Sequence, residues 1–375
     1  MIFSNDVTKL IKNKGYWQAN GKYFDIKVNA ILEAQSNNSD VTFHYNDLAW
    51  DQANWSVEPT QSLEELYLQR ALALRKKYKT LILRLSGGAD SMNIVRTFVD
   101  NNIKIDVIVI NEWCGLAGDD PKIHPGSAEK IAITMPFLDS LRQQGVQFEQ
   151  LELDNSYLFS CIENTAEWIF HVNAPRFRMV EVSAPRTVLH EALQKYNSSD
   201  TCVITGLDKP WIWCVKDKIW YFSIPDWINV LSDPGHSLMV QEPFYWTADM
   251  PELVIKQCHV IKNWIKVNLD QLPNNSDKSN FYISDKKWFI PLLYSKYYNF
   301  APGNQLPYLD VPLIANHGPY CGCIDYGIER MSIFTTHLKG VQLADELIET
   351  RFKRRDSIFE DGLKEIWTKR RWLGR

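Results

Sequence analysis

The chain has 375 residues, 45% of them hydrophobic and 23% charged, with a formal net charge of −4. That length allows one large or two ordinary domains around a sizeable core, and the composition is that of a soluble globular protein. The slightly negative balance excludes a global basic field that would draw nucleic acid or anionic membrane, and no apolar run is long enough to span a bilayer.

The start, "MIFSNDVTKLIKNKGYW", lacks the basic, apolar and small-residue order of a signal peptide, so a cytoplasmic location is expected. Seven cysteines (Cys114, Cys161, Cys202, Cys214, Cys258, Cys321 and Cys323) are odd in number and mostly scattered. Reduced, buried thiols are therefore expected rather than a disulfide framework. Only "YCGCID" brings two together, and a structural zinc site needs four ligands. For the 14 tryptophans, core packing is the expected use and pocket lining the alternative.

In chain order, residues 1–79 read as a mixed α/β extension. "GYWQANGKYF" has Asn-Gly between aromatic flanks, the signature of a tight hairpin, and a short helix should follow. "SLEELYLQRALALRKKY" starts with Ser62 and Glu65 spaced as a capping box, so an amphipathic helix is predicted. From residue 80 to about 210 the pattern alternates: strand "TLILRLS", helix "SMNIVRTFVDNN" with Met92, Val95 and Val99 on one face, then strand "IDVIVINE". A helix kinked at Pro136 follows, then strand "VQFEQLEL", helical segments near 155–170 and 185–196, and strand "TCVITG". Continuous apolar strands alternating with helices predict a parallel, doubly wound α/β sheet.

Beyond residue 210 the alternation stops. "WIWCVKDKIWYFSI" predicts a hairpin turning at Lys216-Asp217-Lys218, and "DMPELVIKQCHVIKNWIKV" an amphipathic helix with Pro251 in its first turn. "LPNNSDKSN" reads as a polar loop, and the basic end, "RFKRR" and "TKRRWLGR", as helix with a solvated face. Residues 211–375 are thus expected to form a hairpin and a mainly helical region packed on the sheet.

The most informative stretch is "LILRLSGGADSMNIVRTFVD", where a buried strand must turn into a helix through Ser86, Gly87, Gly88, Ala89, Asp90 and Ser91. Glycines take unusual dihedrals and let a ligand approach the backbone, while helix-start N–H groups favour an anion. A carboxylate beside such a cradle would repel bare phosphate, so its natural partner is the Mg²⁺ that accompanies a polyphosphate. Neither G-x-x-x-x-G-K-[ST] nor G-x-G-x-x-G is present.

The six residues from Ser86 to Ser91 resemble the S-G-G-x-D-S pyrophosphate loop of the N-type ATP pyrophosphatases, most like the synthetase domain of asparagine synthetase. The resemblance covers about residues 80–210 and implies a HUP-like, adenine-nucleotide-binding fold with ATP and Mg²⁺ as ligands. It implies that Ser86, Gly87, Gly88, Asp90 and Ser91 grip the β- and γ-phosphates, that Leu85 packs near the base, and that Ile110 and Asn111 meet the adenosine. It also implies a second contact after the fourth strand, in "VITGLDKPW": Thr205, Gly206, Asp208 and Lys209. Asp90 and Asp208 would hold the metal, and Lys209 would stabilise the α-phosphate, a surface lysine being the alternative. Asparagine synthetases carry a longer G-x-G-x-D-E run here, so the acceptor substrate is left open. For Asp208 the bland alternative is a turn cap before Pro210.

The implied activity is an AMP- and pyrophosphate-forming ligase: a carboxylate, amide or carbonyl oxygen is adenylated and then attacked by an amine or ammonia. The opening Met1-Ile2-Phe3 lacks the cysteine of an N-terminal-nucleophile glutaminase, so the expected nitrogen donor is free ammonia, an amine substrate or another protein's product. Cys114 is placed for a thiolating relative's cysteine, with packing as the more ordinary role. The alternatives are an RNA- or nucleobase-modifying enzyme of the same superfamily, disfavoured by the charge balance, and a nucleotide-binding scaffold. "FYWTADMPE" and "WFIPLLYSKYYNFAPG" can line a second-substrate pocket, although core packing is the more frequent use of such aromatics.

Overall fold

The computed structural model describes residues 13, 15–112, 130, 134–154, 191–206, 210–215, 219–226, 238–268, 281–282, 366 and 368–374. Strands β1 (Gly15–Ala19) and β2 (Lys22–Phe24) form the expected hairpin. Asn20 and Gly21 turn it with φ of 48° and 70°, the positive values a two-residue hairpin demands. Helix α1 (Lys27–Asn37) packs on β1 and ends where Asn38, in the left-handed region, returns its N–H to Ala34. Strand β3 (Val41–Tyr45) pairs with the other side of β1, completing an antiparallel sheet of order β2-β1-β3. After the short helix α2 (Asp47–Trp50), α3 (Leu63–Lys77) starts on the full capping box: Glu65 N–H donates to the Ser62 hydroxyl and Ser62 N–H to the Glu65 carboxylate.

The middle of the central sheet follows from strands too apolar to face water, while its two edges are half polar. Strands β4 (Thr80–Arg84), β5 (Val107–Glu112), β6 (Glu149–Asp154) and β7 (Thr201–Thr205) run parallel. Alternate side chains of β4 enter two different cores, with Leu81 and Leu83 in the larger and Ile82 in the smaller beside Val107, Val109 and Val203. After β7, β8 (Trp211–Val215) and β9 (Ile219–Ser223) pair antiparallel in the register of the expected hairpin; its turn, residues 216–218, lies outside the described residues. Strand β10 (Val240–Pro243) then rejoins the parallel sheet beside β7. The order is β10-β7-β4-β5-β6, so strand order reverses between β4 and β7, as in a doubly wound α/β sheet. The parallel sheet therefore extends past residue 210.

Two local expectations change. Helix α4 (Ala89–Asp100) buries a face centred on Ile94, Val95 and Phe98, with Met92 and Val99 only at its margin. Pro136 stands at the start of α5 (Met135–Gln143), in its first turn, and Thr134 just before it already has helical backbone (φ −65°, ψ −49°); residues 131–133 lie outside the described residues. Residues 191–196 are 3₁₀ rather than α, and the segment near 155–170 lies outside the described residues.

Helix α6 (Pro251–Asn268) is the expected amphipathic helix, with Leu253, Val254, Cys258, Ile261 and Ile265 buried and Pro251 at its start. It alone meets the expectation of a mainly helical region after residue 210 among the described residues. The rest is a four-stranded antiparallel sheet of order β11-β8-β9-β12, with β11 (Phe281–Tyr282) and β12 (Arg371–Gly374). The basic end is therefore strand where helix was expected, because Arg371 and Leu373 point inward while Trp372 stays exposed, the two-residue period of a sheet. Arg371 donates to Asp47 at 2.6 Å and lies over the rings of Trp50 and Trp55. "RFKRR" and "LPNNSDKSN" lie outside the described residues. The buried tryptophans serve packing: Trp55 stacks on Phe222 at 4.8 Å, and Phe222 stacks on Trp246 at 6.0 Å.

A buried carboxylate ties the edge of the sheet to α3. Glu242 accepts hydrogen bonds from Arg70 (3.0 Å), Lys77 (2.8 Å), the Tyr78 hydroxyl (2.6 Å) and Asn13 (3.0 Å). Burial pushes its pKa up, but the Arg70 charge and the bonds from Lys77 and Tyr78 outweigh burial and hold it below the ordinary glutamate value. A depressed carboxylate pKa stabilises the fold above the unfolded value and loses that contribution as pH falls through the folded value. Glu242→Gln should therefore lose stability at neutral pH and differ less from wild type as pH drops below about 4. Urea midpoints across that range test this; a difference constant with pH would overturn it.

Candidate functional site

The Ser86–Ser91 turn stands at the carboxyl end of β4, at the point where strand order reverses. Leu85, buried in the core, extends the pairing by donating its N–H to Val109 at 2.8 Å. Gly87 then takes φ 87°, in the left-handed region, which reverses the chain at a position where a side chain would be strained. Two serines close the turn. Ser86 N–H donates to the Ser91 hydroxyl (3.2 Å), which donates to the Gly88 carbonyl (3.1 Å), and Gly88 N–H donates to the Ser86 hydroxyl (3.3 Å).

Helix α4 begins directly after this turn, with Gly88 as a cap that offers no side-chain acceptor. The contrast with the full capping box of α3 matters, because the first N–H groups of any helix lack intrahelical partners and carry its positive dipole end. An anion is their natural acceptor. Asp90, in the first turn, is only 5% exposed. It lies close enough to Tyr67 that its charge, added to burial, drives the Tyr67 hydroxyl pKa well up.

The end of β7 meets the same turn. Thr205 is buried and its carbonyl accepts the Phe244 N–H at 2.9 Å. A Cβ on the next residue, Gly206, would lie 2.7 Å from Ile94 Cδ1 and 3.2 Å from the Asp90 carbonyl carbon. A side chain there would press on the tip of Ile94 and on the Asp90 backbone, so the main chain at Gly206 lies close against the first turn of α4. At Gly206 the end of β7 thus lies against the start of α4. Asp208 and Lys209, two and three residues further on, lie outside the described residues.

Other expected contacts sit differently. Ile110 is buried in the core, so its side chain is a packing group; Asn111 pairs with Leu153 across β5 and β6. Cys202 and Cys258 are free, buried thiols whose pKa values burial pushes up, in line with the structural role expected of most cysteines. Cys114, Cys321, Cys323 and "WFIPLLYSKYYNFAPG" lie outside the described residues. Among the described residues no group of three His, Cys, Asp or Glu side chains is placed to hold a metal, and no helix is long and apolar enough to cross a membrane. In "FYWTADMPE" core packing prevails, since Phe244, Tyr245 and Trp246 are all buried. Sequence reasoning missed that the Tyr245 hydroxyl reaches the Asp90 carbonyl at 2.8 Å; the signal was Asn93, a polar residue on the buried face of α4, which donates to that hydroxyl.

No protein-family model matches the chain, and no curated protein matches its sequence.

Proposed function

We propose that the chain is an ATP-dependent ligase of the N-type ATP pyrophosphatase kind, with a HUP-like nucleotide-binding sheet, and that it adenylates an oxygen of its second substrate and releases pyrophosphate. One observation carries this reading: an uncapped helix start behind a serine-closed glycine turn, at the switch point of a parallel sheet, in contact with the loop after β7. The residues fit the group they would hold. Gly87 takes the left-handed backbone that the turn needs, Ser86 is exposed at the rim, and Asp90 supplies a carboxylate in the first turn of α4. In this reading the α4 start and the turn amides would bind the β- and γ-phosphates, Asp90 and Asp208 would hold Mg²⁺, and Lys209 would stabilise the α-phosphate. Mg²⁺ supplies charge neutralisation for the departing pyrophosphate. Ammonia or an amine then attacks the carbon that bears the adenylated oxygen, forming a C–N bond as the C–O bond breaks, AMP leaves with that oxygen and the nitrogen gives up a proton.

The test is incubation with ATP, Mg²⁺ and a metabolite extract. AMP and pyrophosphate in equal amounts, with a new amide or amidine product, are expected. ADP with phosphate, or no nucleotide turnover with any fraction, would overturn the proposal.

A further inference from the structure

The segment after β10 touches the candidate site from one side and the N-terminal sheet from the other. On the site side, Phe244 N–H donates to the Thr205 carbonyl at 2.9 Å. The Tyr245 hydroxyl donates to the Asp90 carbonyl at 2.8 Å and accepts from Asn93 Nδ2 at 2.9 Å. On the far side, Trp246 presents its carbonyl to the Tyr45 hydroxyl and to Asn46 Nδ2, both at 3.2 Å. Ala248 N–H donates to Asn13 Oδ1 at 2.8 Å. Phe244, Tyr245 and Trp246 are all buried, and the bonds of the Tyr245 and Tyr45 hydroxyls form away from competing water.

We infer that Tyr245 is a positioning residue for the Ser86–Ser91 turn, and that the N-terminal sheet steadies this turn through residues 244–248. The hydroxyl grips the main chain at Asp90, the residue against which Gly206 also rests, so one bond fixes where the first turn of α4 stands relative to the ends of β4 and β7. Its partners in β3 and at Asn46 fix the other end of the segment, which gives the N-terminal unit a place in the site's support without touching a ligand.

The inference rests on the ATP reading only for its effect on nucleotide affinity, and two measurements separate the two. Tyr245→Phe keeps the ring and removes the hydroxyl. Amide exchange of Met92 to Val95, whose helical bonds run to carbonyls of the first turn, should accelerate about tenfold while β5 amides stay unchanged. Calorimetry with ATP and Mg²⁺ should show affinity lowered roughly threefold to tenfold, the range of one lost hydrogen bond. Asn46→Ala, at the other end of the segment, should accelerate the same amides by a smaller factor. Unchanged exchange there in both variants, or a uniform rise through all strands and helices, overturns the inference. If exchange changes as expected while wild type binds no ATP, the nucleotide reading falls and the positioning role stands.

Discussion

Asp90→Asn is expected to reduce Mg²⁺-dependent pyrophosphate release by about a hundredfold or more, the usual consequence of deleting one electrostatic contributor to such a transition state. The substitution is isosteric, and Asp90 sits in the first helical turn, where its backbone carbonyl, unaffected by the change, holds the Tyr245 bond. The fold should survive, with the thermal midpoint moved by a few degrees at most. Asparagine also removes the charge that acts on Tyr67, so that hydroxyl should titrate at lower pH in the variant. Pyrophosphate release at saturating ATP is the measurement, and turnover within a factor of two of wild type would refute a metal-holding role for Asp90.

The largest effect on stability is expected at Lys27. Its ammonium lies 2.7 Å from Asp226, both side chains being 0% exposed, and Trp17 Nε1 donates to the same carboxylate oxygen at 3.0 Å. Removing one partner strands the other charge in a medium that solvates it poorly, which costs roughly 3–5 kcal/mol. Lys27→Met should therefore lose about that much in urea unfolding, while Lys27→Met combined with Asp226→Leu should recover part of it, because both charges leave together although Trp17 Nε1 loses its acceptor. A single variant losing less than about 1 kcal/mol, or a double variant no better than the single, would show that the pair is not isolated from water.

What was readable in the sequence is what local chemistry decides. Asn20-Gly21 has few turns open to it, Ser62 and Glu65 satisfy each other's backbone within one turn, and "TLILR" carries three consecutive apolar residues that bury on both faces, so all three fold as read. The glycine turn at residues 86–91 was legible for the same reason. Strand β10 was not, because "VQEP" is short, half polar and ends in proline; it becomes a strand only through pairing with β7 and the distant cations that neutralise Glu242. Arg371 misled by charge alone, since nothing near it in the chain announces Asp47 or the two indole rings it covers. Tyr245 looked like core and is core, yet its hydroxyl serves the site, a role visible only once the end of β10 is brought beside α4.

The bond between Arg371 and Asp47 joins residues 324 positions apart in the chain. A ribosome adding about 5–20 residues per second needs roughly a quarter of a minute to a minute to cover that interval. Throughout it, Trp50 and Trp55 are synthesised but lack the guanidinium that covers them, and β9 lacks its partner β12. The nascent chain thus holds an aromatic patch in waiting near its beginning, the kind of surface that chaperones occupy, and it closes only when residues 371–374 have emerged.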